Sequence, residues 1–203
     1  MTLDQFRPLA SRMLRPFVTV SVRLGLTPDA ISVLAFLLAV AAAGVFYLGS
    51  AAGYVAGALL VFLNGWLDLL DGAVARETGV DSEGGDLLDH VLDRYADVVI
   101  LAGLAAGIGS WLLGFAAVTG VLLTSYLGTQ IQAVGLGRQY GGLLGRADRL
   151  ALVGIVGVLS AVIPVVGGFS LVAWLLAFFA VVGHLTALQR FWGAWGDLRG
   201  AER

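Results

Sequence analysis

The twelve arginines and fourteen carboxylates of this chain are confined to four short clusters, and the three long stretches between them carry no charge. The clusters occupy residues 4–29, 68–97, 138–149 and 190–203, and the uncharged stretches occupy 30–67, 98–137 and 150–189. A helix needs about 20 apolar residues to cross the hydrocarbon core of a bilayer, so each stretch fits two helices and a tight turn. Charge is costly inside hydrocarbon, which puts every cluster at or beyond a membrane surface. Two crossings between consecutive clusters return the chain to the same side each time. The pattern predicts an all-α polytopic membrane protein of six transmembrane helices, with both termini and every polar tool on one face.

Composition agrees. Of the 203 residues, 59% are hydrophobic and the mean hydropathy is +0.91, values that exclude an ordinary soluble domain. Six helices use nearly the whole chain, so a single membrane domain is expected over 1–203. It divides into an interfacial helix at 1–26, a six-helix bundle at 27–192 and a polar tail at 193–203. A net charge of −2 argues neither for nor against a polyanionic partner, no nucleic acid is expected, and the absence of cysteine excludes disulfides and thiolate chemistry. No apolar run with a small-residue cleavage site follows the first arginines, so no cleaved signal peptide is expected. Arginine collects on the cytoplasmic side of membrane proteins; all four clusters, the active site and both termini are therefore assigned to the cytoplasmic side of a cell membrane. The opposite face holds only the turns at 49–53, 107–110 and 164–168, which carry no chemistry.

Leu3, Phe6, Ala10, Met13, Leu14 and Phe17 recur at three and four, with Arg7, Arg12 and Arg15 between them. That is the spacing of an amphipathic helix lying among lipid headgroups, its arginines against phosphates; a plain topology anchor has the same spacing. Thr27-Pro28-Asp29 reads as a helix start: an N-cap, a proline suited to the first position and an acid at the positive end of the dipole. The predicted spans are 28–48, 52–76, a helix from 83 that enters the membrane near Val98, 111–134, 146–163 and 169–188, with a glycine-rich loop at 135–145. The second span is longer than a bilayer needs, so its last two turns should project. Gly53/Gly57 and Gly103/Gly107 are small-residue pairs that permit close helix contact.

The informative segment is Asp68-Leu-Leu-Asp71-Gly72-Ala-Val-Ala75-Arg76, followed after a turn by Gly85-Asp-Leu-Leu-Asp89-His-Val-Leu-Asp93. At 100° per residue, Asp68, Asp71, Gly72, Ala75 and Arg76 fall within an arc of about 140°. Gly85, Asp89 and Asp93 share one face of the next helix. A short turn makes the two helices antiparallel neighbours, so four carboxylates converge just inside the surface. Like charges that close cannot all stay ionised without a counter-cation, and Arg76 alone is too little. Oxygen ligands without thiolate point to Mg²⁺ or Mn²⁺, and two ions suit four carboxylates. Such pairs clamp a phosphoryl group during in-line displacement. Gly72 and Gly85 clear space for a nucleotide, and Arg76 is a phosphate clamp. A solvated acidic loop would scatter its acids without this register. Asp97 continues the face one turn deeper without an assigned role, and His90 and His184 are read as bystanders.

These residues resemble the signature of the CDP-alcohol phosphotransferase family, D-x₂-D-G-x₂-A-R-x₈-G-x₃-D-x₃-D, with every specified position filled. The resemblance covers the whole chain, including the interfacial helix and the Thr-Pro-Asp start. It implies transfer of a phosphatidyl-type group from a CDP-linked lipid, CDP-diacylglycerol or CDP-archaeol, to a small alcohol, with release of CMP. It further implies that Asp68, Asp71, Asp89 and Asp93 ligate metal and that Asp93 takes the acceptor's hydroxyl proton. Thr27, Pro28, Asp29, Ala30, Gly72, Arg76, Ser82 and Gly85 would hold the CDP-lipid, and a homodimer is the implied assembly. Arg146-Ala-Asp-Arg149 matches an Arg-x-x-Arg pair that the inositol-phosphate-using branch places at the acceptor phosphate. That branch also carries Ser-Tyr-x-Lys/Arg-Ala-Arg, which here reads Ser125-Tyr126-Leu127-Gly128-Thr129-Gln130. Both basic positions are lost, which leaves inositol phosphate, glycerol phosphate and an unphosphorylated acceptor such as serine open. The alternative class is an ion transporter with an acidic cytoplasmic entrance. Transporters place ionisable groups near the midplane, where this chain has none.

Overall fold

A computed structural model describes residues 7–80, 82–137 and 145–201, with side chains from Met13 to Gly200. Leu3, Phe6 and the 138–144 part of the expected loop lie outside the described residues, as do the side chains of Arg7, Ala10 and Arg12. Seven helices follow one another: α1 (Arg7–Arg23), α2 (Pro28–Tyr47), α3 (Ala51–Thr78), α4 (Glu83–Gly107), α5 (Trp111–Ala133), α6 (Arg146–Val162) and α7 (Leu171–Ala201). The described residues are all-α apart from one tight hairpin, β1 (Val165–Val166) with β2 (Phe169–Ser170), paired antiparallel in the register Val165↔Ser170 and Val166↔Phe169. The hairpin stands where the sequence predicted a turn. Among the described residues four helices, α2, α3, α5 and α7, are long and apolar enough to cross a membrane.

The predicted boundaries hold where local chemistry is explicit. Thr27 caps α2, its hydroxyl accepting from the Ala30 N–H at 3.2 Å, with Pro28 at the first position. Ser82 caps α4 by accepting from the Gly85 N–H at 3.0 Å. Gly79 ends α3 at φ 65°, a left-handed conformation that glycine adopts without strain. The tail expected over 193–203 is different: α7 stays helical to Ala201. Phe191 stacks on Trp195, and Arg199 lies 5.0 Å from the Trp195 ring, contacts at helical spacing that carry the helix on.

Lipid exerts no hydrophobic force between helices, so close packing must hold them. Here glycine does it. A Cβ on Gly57 would fall 2.3 Å from the Phe46 ring, and one on Gly103 would fall 2.5 Å from the Ala43 carbonyl oxygen. Gly107 likewise abuts the Phe46 carbonyl and Gly53 the Val45 carbonyl. Both small-residue pairs therefore serve contacts within the chain. Phe46, Ile100, Leu104, Leu176 and Phe179 fill the centre. On α1, Leu14 and Val18 pack on Ile31, Leu70 and Val74, while Met13 and Phe17 stay exposed. That contact lays α1 across the ends of α2 and α3 where the acids begin.

Candidate active site

The sequence predicts α3 and α4 as antiparallel neighbours, but each packs most extensively on α2 rather than on the other, and across that packing their side chains still bring Asp68, Asp89 and Asp93 together. One carboxylate oxygen from each lies within 4.8 Å of the others. Asp71 lies outside that group, near enough to feel the charges of Asp89 and Asp68; it accepts from the Ser32 hydroxyl at 2.6 Å and from the Gly72 N–H. Three of the four predicted carboxylates thus form the cluster, and the fourth is held one turn away by α2. Asp89 and Asp93 lie ahead of the apolar part of α4. Burial, reinforced by Asp68, raises the Asp89 carboxyl above its ordinary range. Burial also raises Asp93, against the opposing pull of the Arg146 guanidinium.

Arg146, expected at the acceptor phosphate, reaches into this cluster from the first turn of α6. It donates to Asp68 Oδ1 and, at 2.7 Å, to Asp93 Oδ1. The reason is the one that made a cation necessary: three close carboxylates attract the nearest positive side chain. Ser32, Ala35, Phe36, Asn64, Asp68, Asp89, Leu92, Asp93, Ala96 and Arg146 enclose a small cavity beneath the cluster. Asn64 donates to the Ala35 carbonyl at 2.8 Å, and its own oxygen has no protein partner among the described residues.

The residues predicted for the CDP-lipid flank one side. A Cβ on Gly85 would sit 3.2 Å from both Asp29 Oδ1 and Ser82 Oγ, so the starts of α2 and α4 touch there. Thr27, Pro28, Asp29 and Ala30 therefore border the mouth of the cluster. Gly72 lies under the exposed Arg76, whose Nη1 would be 3.3 Å from a Cβ at that position.

Deeper in, α4, α5, α6 and α7 build a second polar group that the sequence left largely unread. Arg149 donates to Asp97 at 2.9 Å, and both are buried. Arg94 bonds the Ser125 hydroxyl and lies 3.5 Å from Asp97 and from Asp93. Arg190 of α7 donates to the Thr124 carbonyl, with its Nη1 3.0 Å from where a Gly128 Cβ would stand. The basic side chain missing at position 128 is thus matched in space by one from a distant helix. Nothing in local sequence signals that; only the register of Asp97 on the acidic face was visible. His90 rests on the Asp86 carbonyl at 2.9 Å with its Nδ1 4.0 Å from Asp89 Oδ2, and His184 lies near Thr119 at 3.3 Å.

Comparison with known proteins fits this geometry. The family model for CDP-alcohol phosphatidyltransferase matches residues 25–185. The chain belongs to that family. It is 32% identical over 202 residues to the archaetidylinositol phosphate synthase of Methanothermobacter thermautotrophicus, covering 97% of this chain and 96% of that one. The phosphatidylinositol phosphate synthase of Mycobacterium tuberculosis, solved with CDP-DAG bound, superposes with a TM-score of 0.78 at 28% identity, over 91% of this chain and 94% of that one. The same enzyme in complex with manganese and citrate gives 0.77 at 28% identity, over 90% and 88%.

Proposed function

We propose that this protein is a phospholipid synthase that transfers a phosphatidyl-type group from a CDP-linked lipid to the hydroxyl of inositol phosphate, releasing CMP. The observation that carries the reading is the convergence of Asp68, Asp89 and Asp93, with ligand oxygens within 4.8 Å, at the end of a bundle whose remaining length is apolar. The donor set is all oxygen and strongly acidic, which fits hard divalent cations. Asp68, Asp89 and Asp93 would hold them, with Asp71 one turn away for a second ion. Bound Mg²⁺ or Mn²⁺ would neutralise the pyrophosphate and stabilise departing CMP. Asp93 is the base for the acceptor's hydroxyl. Gly72, Arg76, Ser82, Gly85 and residues 27–30 hold the nucleotide half, while the lipid tails stay between helices.

For the acceptor, Arg146 and Arg149 supply paired cations at the start of α6, a sound phosphate site. The names of the relatives, both inositol phosphate lipid synthases, favour inositol phosphate over glycerol phosphate, and Arg190 beside Gly128 supports the same choice.

Six crossings fit better than four. The starts of α2 and α4 touch at Asp29 and Gly85, and their far ends touch at Ala43–Gly103 and Phe46–Gly107. A helix that runs alongside a membrane span from end to end must cross the same slab. By the same reasoning α6 crosses beside α3, since Leu150 meets Gly65 and Gly157 meets Tyr54 and Ala58. The charged end, with α1 at the lipid headgroups, faces the cytoplasm on the arginine bias, and a homodimer is the expected assembly.

The test is CMP release from one CDP-linked lipid with Mg²⁺ or Mn²⁺ and a panel of alcohols. Inositol phosphate should support turnover, with glycerol phosphate, serine and inositol far behind. Turnover with serine or free inositol alone would refute the reading.

A further inference from the structure

Asp97 belongs to the same face of α4 as Asp89 and Asp93, yet it stands outside the group of convergent ligand oxygens, which is Asp68, Asp89 and Asp93. Its partners are arginines. Arg149 Nη2 lies 2.9 Å from Asp97 Oδ2, Arg94 Nη1 3.5 Å from the same oxygen, and Arg146 Nε 3.9 Å from Oδ1. We infer that Asp97 is a positioning residue of the acceptor site, which fixes the Arg149 guanidinium and so sets affinity for a phosphorylated alcohol. The inference rests on the acceptor reading above.

Three observations carry it. Asp97 is 5% and Arg149 8% exposed, so the pair is shut away from water and its geometry is held from both sides by α4 and α6. Arg149 Nε, also buried, has no protein partner among the described residues, so the bond to Asp97 leaves donors of the fork unused. An arginine side chain carries about 2 kcal/mol of rotamer entropy, and a buried carboxylate that removes it beforehand spares the ligand that cost. The acidic face of α4 thus divides into two tasks, with Asp89 and Asp93 turned to the cluster and Asp97 turned to the arginines.

Charge alone predicts the opposite sign, which makes the idea testable. Arg94, Arg146 and Arg149 surround Asp97, and Arg190 lies beyond them. If Asp97 merely offset their charge, Asp97→Asn would make the site more positive and tighten a phosphorylated acceptor. If Asp97 positions Arg149, the same variant loosens it. The experiment measures the acceptor KM with inositol phosphate, the CDP-lipid KM, and Mn²⁺ uptake by electron paramagnetic resonance, on the full chain in detergent. Asp97→Asn should raise the acceptor KM about tenfold or more, with the CDP-lipid KM and Mn²⁺ uptake within twofold of wild type. Asp97→Asn in an Arg149→Gln background should add nothing further. An acceptor KM that stays level or falls overturns the inference, as does a full additional loss in the double variant. Should Asp97→Asn not fold, Asp97→Glu carries the same test, since it keeps the charge and displaces the oxygens: a raised acceptor KM supports positioning and an unmoved one overturns it. Wild-type protein that releases CMP only with unphosphorylated alcohols would sink the acceptor reading and this inference with it, whereas normal wild-type turnover beside an unmoved variant sinks the inference alone.

Discussion

The two ends of the bundle are made from the same helices under opposite rules. At the far end, α2 presses on α3 and α4 through Gly53, Gly103 and Gly107 against its backbone and Gly57 against the Phe46 ring, and no charge intervenes. At the near end, the helices are held apart by carboxylates and arginines: Asp68 with Arg146, Asp97 with Arg149, Asp71 with Ser32. Glycine contacts leave no room for a ligand but fix the helix axes. Charged contacts stabilise a fold weakly, because desolvation offsets attraction, yet they leave oxygens and guanidinium donors available for exchange. The far end therefore sets the geometry in which the near end can do chemistry.

That division can be broken from either side. The largest effect is expected at Asp93. Asp93→Asn should cut CMP release by about 10²–10⁴-fold, the range for loss of a general base, while thermal stability and CDP-lipid binding persist. Turnover close to normal would refute the base assignment. At the far end the prediction reverses. Gly103→Ala places a Cβ 2.5 Å from the Ala43 carbonyl oxygen, an overpacking that costs about 1–3 kcal/mol. Its melting temperature should drop by several degrees, with turnover per folded molecule retained. Gly44→Ala, where a Cβ meets nothing within 4 Å, is the control and should melt like wild type. Equal melting temperatures for the two variants would mean that the close contacts do not hold the bundle. The smallest effect is expected at the rim. Arg76 is exposed beside Gly72, and Arg76→Ala should raise the CDP-lipid KM about tenfold, the scale of one hydrogen bond to a charged group. An acceptor KM that rose instead would move Arg76 to the other substrate.

Much of the near end was legible in sequence, because helical register is local. Asp68 and Asp71 on one helix and Gly85, Asp89 and Asp93 on the next can be placed by counting, and the cap Thr27 announces the start of α2. What could not be read depends on rotamers and on helices far apart in the chain. Asp71 turns to Ser32, which sits 39 positions earlier. Arg146 reaches Asp68 across 78 positions, and Arg190 meets Thr124 across 66. The helical continuation of α7 to Ala201 was missed for a different reason. Its charges, Arg190, Asp197 and Arg199, mark the end of the apolar stretch, but a helix does not end where hydrophobicity does. In α7 the aromatic spacing of Phe191 and Trp195 carries it on.

The central claim is that carboxylates from α3 and α4 jointly bind divalent cations. Titration of Mn²⁺ into the purified protein, followed by the loss of the free-ion electron paramagnetic resonance signal, tests it most directly. Wild-type protein should take up Mn²⁺, and Asp68→Asn and Asp89→Asn, one from each helix, should each weaken uptake severely without lowering the melting temperature. Wild-type protein that leaves the Mn²⁺ signal untouched, or variants that bind as tightly as wild type, would contradict the account.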